Sequence, residues 1–279
     1  MATPHVALLG TGIIGAGMAR NIAAAGIPLV VWNRTLAKAE GLGATVAESP
    51  AEAVAEAEIV VTVLADGPTV AAVVRDANPR RGTIWLQSAT VGVEACGELE
   101  ALADELGLVY VDAPVLGTRG PAEAGQLTVL ASGPEDARGP LTPVLDAVGA
   151  KTLWLGPAGA GSRLKLVVNA WVLTIVEGVA ESLALARALG LDPQVFLDAV
   201  KGGATDAPYV QLKGAAMLAG EFDPQFPLWG ALKDATLVQE AGAAAGVDMA
   251  IAGVLREHFQ RAVDAGHAED DMAATFLTH

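Results

Sequence analysis

The apolar run Val6–Leu9 breaks at Gly10-Thr11-Gly12-Ile13-Ile14-Gly15, and a helical pattern over 13–25 begins at once. Each glycine in that spacing has its own physical task. Gly10 permits a tight turn out of a strand, Gly12 lets the backbone come close to a pyrophosphate, and Gly15 allows close helix packing. The amides and dipole at the helix start attract the phosphate itself. In a chain with 32 glycines the spacing alone is weak, since an ordinary strand-to-helix turn can show it too. The surroundings strengthen it: a strand precedes, a helix follows, and a second apolar run, Leu29–Trp32, arrives where a βαβ unit needs it. The opening segment therefore reads as a dinucleotide site.

Further apolar runs at 59–64, 83–86 and 108–111 are each followed by a turn and an amphipathic segment. Near-continuous apolar strands separated by helices predict a parallel sheet covered on both faces. The runs Leu127–Ala131 and 152–155 extend the pattern to about residue 156. After the hinge composition Gly156-Pro157-Ala158-Gly159-Ala160-Gly161, no comparable strand follows. Helical periodicity is broken there only by turn signals such as Gly190-Leu191-Asp192-Pro193, Gly202-Gly203 and Asp223-Pro224. The stretch 162–189 reads as one helix of roughly 40 Å at 1.5 Å per residue. The expectation is an α/β protein: a Rossmann domain with a mostly parallel sheet over 1–158, and an all-helical domain over 159–279, joined by a long interdomain helix.

Charge and composition exclude several function classes. A net charge of −15 without clustered Lys or Arg argues against a nucleic-acid partner and against an anionic membrane surface. The most apolar stretch, 164–180, carries Lys165, Asn169 and Glu177, so it reads as a buried helix rather than a membrane span. The start Met1-Ala2-Thr3-Pro4-His5 has no secretory pattern, and the single Cys96 fits a reducing compartment; the expected location is the cytoplasm.

The end of the second strand bears on which dinucleotide is held. A site for NAD usually places Asp or Glu about 20 residues beyond the glycine loop to bond the ribose 2′-hydroxyl. This chain instead has Asn33-Arg34-Thr35, where Arg34 can grip a 2′-phosphate with a charged fork and Thr35 can donate a hydroxyl hydrogen bond. NADP(H) is expected in preference to NAD(H). Hydride transfer to a carbonyl also needs a proton for the alkoxide that forms, and Lys165 can supply it, or act as base in the reverse direction. Asn169, four residues on, shares its helix face and can bond the substrate oxygen or fix the lysine amine. Without that context, a lysine snorkelling from a buried helix is the plainer reading of Lys165. Lys233 can reach a cofactor or a substrate carboxylate, with Asp234 pairing it, although a solvated helix pair would look the same. Glu177, Glu181 and Arg187 read as helix-face charges. His5, His258, His267 and His279 are scattered without ligand spacing, so no metal is expected.

Taken together, four blocks resemble the β-hydroxyacid dehydrogenases, the family of 3-hydroxyisobutyrate dehydrogenase and the glyoxylate/succinic semialdehyde reductases, over nearly the whole chain. They are 10–21, Asp112-Ala113-Pro114-Val115 through Gly125, 159–169, and Leu232-Lys233-Asp234. The resemblance implies a cleft between a Rossmann and a helical domain, a homodimer or homotetramer, and Lys165 and Asn169 as the catalytic pair. It implies cofactor contacts at Gly10, Thr11, Gly12, Ile13, Ile14, Gly15, Leu64, Ala65, Thr90 and Lys233. One segment departs from the family: where a serine usually helps hold the substrate carboxylate, this chain has Leu116-Gly117-Thr118. Leu116 has no hydrogen to donate, which leaves the Gly117 and Thr118 amides and the Thr118 hydroxyl, beside Lys165, Asn169 and Asp234, for a small carbonyl or hydroxy-acid substrate. Two other readings stand beside this one. Imine reductases resemble the same fold but generally lack the lysine, and non-catalytic NADP-binding relatives have lost it.

Overall fold

The computed structural model describes residues 3–279, and the chain falls into two compact units, Met1–Lys165 and Leu166–His279. In the first, strands β1 (Val6–Leu9), β2 (Leu29–Trp32), β3 (Thr45–Val46), β4 (Ile59–Thr62), β5 (Ile84–Gln87) and β6 (Val109–Asp112) form a six-stranded sheet in the order β3-β2-β1-β4-β5-β6. Every pairing in it is parallel, with Leu9 opposite both Trp32 and Thr62. The central strands VALL and IVVT are buried along their whole length, as sheets covered on both faces require. Strand order reverses between β1 and β4, and ligands of such sheets bind at the carboxyl ends beside that switch point.

The connecting helices are α1 (Ile13–Ala24), α2 (Pro50–Val54), α3 (Gly67–Ala77) and α4 (Val93–Leu106). α2 and α3 start with ordinary side-chain caps: the Ser49 hydroxyl accepts from the Glu52 amide at 3.1 Å and Asp66 Oδ1 from the Thr69 amide at 2.8 Å. The runs near 127–131 and 152–155 do not lengthen the parallel sheet, as the repeating pattern had suggested. They become β8 (Leu127–Ala131) and β9 (Gly149–Trp154) of a separate three-stranded sheet with β7 (Val115–Leu116), which pairs antiparallel to β8. Between these strands lie α5 (Arg119–Glu123) and α6 (Arg138–Val148). The turn after β6 sends the chain back beside β8, so the alternation ends at Asp112, which bridges Ser132.

The long predicted helix is present as α7 (Ala160–Ala188), and α8 (Gln194–Val200), α9 (Pro208–Ala219), α10 (Leu228–Ala245) and α11 (Ala250–Ala262) follow. By length and composition α7 is the one helix among the described residues apolar enough to cross a membrane. Its Leu173, Val176, Val179, Ala180 and Leu183 are instead packed with Leu228, Ala231, Leu255 and Phe259 in the core of the second unit.

Cys96 on α4 is 1% exposed, with its Sγ 3.6 Å from the Tyr110 hydroxyl. Burial, and then the nearby Asp112 charge, push its thiol up to about 11. Only about one thiol in a thousand is then ionised at pH 8. Iodoacetamide at pH 8, followed by mass spectrometry, is expected to leave Cys96 unmodified in folded protein and to label it in guanidinium; rapid labelling of folded protein would contradict this packing.

Candidate active site

Because the main sheet is parallel, the loops leaving its strands all emerge at one edge. Gly10 follows β1, Asn33 follows β2, Leu64 and Ala65 come soon after β4, and Thr90 follows β5. The glycine loop is shaped by contacts that exclude side chains. Gly10 has φ +105°, and a Cβ on it would lie 2.2 Å from the Val63 carbonyl oxygen; one on Gly15 would lie 1.9 Å from the Gly10 oxygen. A Cβ on Gly12 would meet nothing within 4 Å, so that position opens outward rather than into the protein. Gly12 is also the N-cap of α1, with no side-chain cap and no acidic residue in the first turn. The amides of Ile13 and Ile14 belong to that open helix end, as an anion requires.

Asn33 acts inside the protein. Its Oδ1 accepts from the Thr11 amide at 3.1 Å and its Nδ2 donates to the Thr35 carbonyl at 3.0 Å, bracing the glycine loop against the loop after β2. Arg34 and Thr35 beside it are exposed, and Arg34 makes no ion pair or hydrogen bond among the described residues. Two hydroxyls at this edge are buried without a partner, Thr11 Oγ1 and Ser88 Oγ. Orphaned donors beside an open helix end and an outward-opening glycine fit a bound dinucleotide. A cleft lined by Pro4, Glu58, Arg80, Arg81 and Gly82 lies where β4 and β5 begin, at the opposite edge of the sheet, and takes no part in this arrangement.

The sequence reading missed the group that fixes α7. Asp112, the last residue of β6, is fully buried. Its Oδ2 accepts from the Ser162 amide at 2.7 Å and its Oδ1 from the Ser162 hydroxyl at 2.7 Å. Ser132 Oγ donates to the same Oδ2 at 3.1 Å and accepts from the Gly161 amide at 2.9 Å. Burial raises the Asp112 carboxyl, and the Ser162 and Ser132 hydrogen bonds offset that only in part. A carboxylate thus meets the amide end of α7, where the helix dipole favours negative charge. Gly161 makes this approach possible, since a Cβ there would stand 2.2 Å from the Leu130 carbonyl oxygen. A carboxylate closing an otherwise apolar strand run was the available signal.

Lys165 comes one turn after Ser162 and is half-buried, whereas Arg163 is exposed. Asn169, one turn further, is buried, and its Nδ2 donates to Asp234 Oδ2 at 2.6 Å. Lys233 Nζ stands 3.0 Å from Asp234 Oδ1. Asp234 is 1% exposed, so it works from behind, holding the Asn169 amide with its NH2 inward and its carbonyl oxygen turned away. The structure therefore groups Asn169, Lys233 and Asp234 in one unit. It places Lys165 with the glycine loop, Leu64, Ala65, Thr90, Gly117 and Thr118 in the other.

Gly117 has φ +131° and packs against Leu127 and Pro121, and Thr118 begins α5 without a capping bond from its hydroxyl. Two blocks of the sequence signature meet away from this chemistry. Asn21 Nδ2 donates to the Ala122 carbonyl at 2.8 Å, and a Cβ on Gly17 would lie 2.7 Å from the Ala122 carbonyl carbon. Those positions serve the packing of α1 on α5.

The parallel sheet and the open helix end make a cradle that fits a dinucleotide. Residues 5–156 match the family model for the NAD binding domain of 6-phosphogluconate dehydrogenase, and residues 159–277 match the one for the NAD-binding region of NADP-dependent 3-hydroxyisobutyrate dehydrogenase. The chain is 32% identical over 278 residues to glyoxylate/succinic semialdehyde reductase 1 of Arabidopsis thaliana, covering 97% of this chain and 96% of that protein. A solved structure of 3-hydroxyisobutyrate dehydrogenase from Salmonella typhimurium superposes with a TM-score of 0.90 at 27% identity, over 99% of each chain. The chain belongs to the β-hydroxyacid dehydrogenase family. An imine reductase from Pseudomonas sp. shares the fold at a TM-score of 0.64 and 21% identity, covering all of both chains.

Replacing Asp112 by Ala removes both bonds to Ser162 and leaves its buried amide unsatisfied. A loss of about 1–3 kcal/mol is expected in urea unfolding. An unchanged urea midpoint would contradict the account of how α7 is anchored.

Proposed function

We propose that this oxidoreductase uses NADP(H) in preference to NAD(H) to interconvert a small β-hydroxy acid and its semialdehyde or keto counterpart, with Lys165 as general acid and base. The observation that carries the reading is the tie from Asp112 to Ser162. It anchors the turn before Lys165 at the carboxyl end of β6, in the unit that holds the glycine loop.

A nicotinamide held by the glycine loop would supply or take up the hydride at the substrate carbon. Lys165, as an ammonium, donates a proton to the carbonyl oxygen as negative charge develops there; as a neutral amine it takes the hydroxyl proton in the reverse direction. Asn169, its amide oriented by Asp234, addresses the same oxygen, and Lys233 keeps Asp234 company as a counter-charge. The Gly117 and Thr118 amides and the free-standing Thr118 hydroxyl hold the substrate carboxylate. Leu116 supplies an apolar wall in place of a donor, which favours a substrate with a hydrocarbon substituent. Exposed Arg34 and Thr35 are available to a 2′-phosphate, and no carboxylate closes β2 to repel it. Val167, Trp171, Leu185 and Leu189, all more than half exposed on or just after α7, provide an apolar face for a second copy in a homodimer or homotetramer.

Purified protein is expected to oxidise NADPH with the semialdehyde of a small β-hydroxy acid, such as that of 3-hydroxyisobutyrate, with glyoxylate and succinic semialdehyde run beside it as the 2- and 4-oxo comparisons. Turnover of cyclic imines alone would favour the imine-reducing alternative. Lys165→Ala is expected to lower kcat by about 10²–10⁴-fold with NADPH binding retained, and an undiminished rate would overturn the mechanism. Arg34→Asp is expected to move the NADPH/NADH preference toward NADH by roughly tenfold or more, the value of one charge-assisted hydrogen bond. An unchanged ratio would remove the cofactor argument.

A further inference from the structure

Glu177 was read as a helix-face charge, yet it is 3% exposed and lies among the core residues of α7. A lone carboxylate there would be costly, and the fold surrounds it with donors. His258 Nδ1 lies 2.5 Å and His279 Nε2 2.7 Å from the same oxygen, Oε1, while the Thr275 hydroxyl donates to Oε2 at 2.9 Å. Burial would raise the Glu177 carboxyl, but the His279, His258 and Thr275 bonds outweigh it and hold the group below its ordinary value. Glu181 follows one helical turn later on the same face. The candidate ligand atoms of Glu177, Glu181, His258 and His279 all lie within 4.8 Å of one another. The two imidazoles are not stacked: their planes meet at 71°, with centroids 5.1 Å apart, and both point a nitrogen at one spot. Two of the histidines that look scattered along the chain, His258 and His279, are therefore brought to one carboxylate by α7, α11 and the segment after Met272.

We propose that Glu177, Glu181, His258 and His279 form a binding site for a divalent transition-metal cation of the zinc type. The donor set decides the class. Two imidazole nitrogens suit zinc and its neighbours, whereas magnesium and calcium prefer oxygen-only shells. Two carboxylates balance the dication, so the site becomes neutral when filled. His258 coordinates through Nδ1 and His279 through Nε2; each keeps its proton on the other ring nitrogen and gives up to solvent any proton on the ligating one. Four-coordinate zinc holds nitrogen at about 2.0–2.1 Å and carboxylate oxygen at about 2.0–2.2 Å. The two short contacts to Glu177 open slightly as the ion enters, and the exposed Glu181 side chain swings in. Along α7 the site lies twelve residues past Lys165, about 18 Å by helical rise, so it is separate from the proposed chemistry. Its effect is to clip α7, α11 and the segment Met272–Thr278 with His279 together.

The test uses the full chain, stripped with EDTA and dialysed, then titrated with zinc chloride by calorimetry and by competition with a chromophoric chelator. About one zinc per chain is expected, with a higher melting temperature on binding. Magnesium chloride is expected to do neither. Glu181→Gln removes an exposed ligand and leaves the Glu177 hydrogen bonds in place, so it folds; together with His258→Ala it is expected to weaken zinc binding at least tenfold. His267→Ala, on a histidine outside the cluster, is expected to leave binding unchanged. Failure to take up stoichiometric zinc, or equal uptake by Glu181→Gln and His258→Ala, would show a purely hydrogen-bonded cluster and overturn the proposal.

Discussion

A buried carboxylate at the end of one strand holds the start of the longest helix in the chain, and the placement of Lys165 beside the glycine loop's unit depends on that contact. Asp112 lies where β6 ends, at the edge from which the glycine loop also emerges. By accepting from the amide and hydroxyl of Ser162 it fixes both the position and the rotation of the first turn of α7. Rotation matters because side chains one turn apart share a helix face, so the angle set at Ser162 is inherited by Lys165. Ser132 completes the arrangement by bonding both Asp112 and Gly161. A neutral residue of the same size at 112 would lose the favourable match between negative charge and helix dipole that makes so deep a burial tolerable.

The parts of the fold that were legible in the sequence are those determined by local pattern. Val6–Leu9 and Ile59–Thr62 are apolar throughout because both faces of their sheet are covered, and that is visible in a four-residue run. Gly10 is required by the approach of the Val63 carbonyl and Gly15 by that of the Gly10 carbonyl, and their spacing reports them once a strand before and a helix after are read with it. β8 shows a similar apolar run but joins a different sheet, with β9, because pairing partners are chosen by the turn after Asp112 and the short strand at Val115, neither of which has a periodicity to read.

What was not legible depends on residues distant in sequence. The position of Asn33 after β2 is visible in the sequence, but the bonds by which its side chain braces Thr11 and Thr35 are not. Asp234 is buried and bonded to Asn169, a partner 65 positions away. Glu177 fits a solvated helix face by spacing, but its partners arrive from residues 81, 98 and 102 positions away. In each case a polar side chain in a buried setting needed a partner, and only the folded chain shows which one it found.

The first unit offers the dinucleotide cradle and anchors Lys165, and the second contains the buried Asn169–Asp234–Lys233 set. The most direct measurement is a crystal structure with NADP+ and a β-hydroxy acid bound. The account predicts the pyrophosphate on the amides that follow Gly12 and the Lys165 amine within about 3 Å of the substrate hydroxyl oxygen. A pyrophosphate seated elsewhere, or a Lys165 side chain turned away from that oxygen, would contradict it.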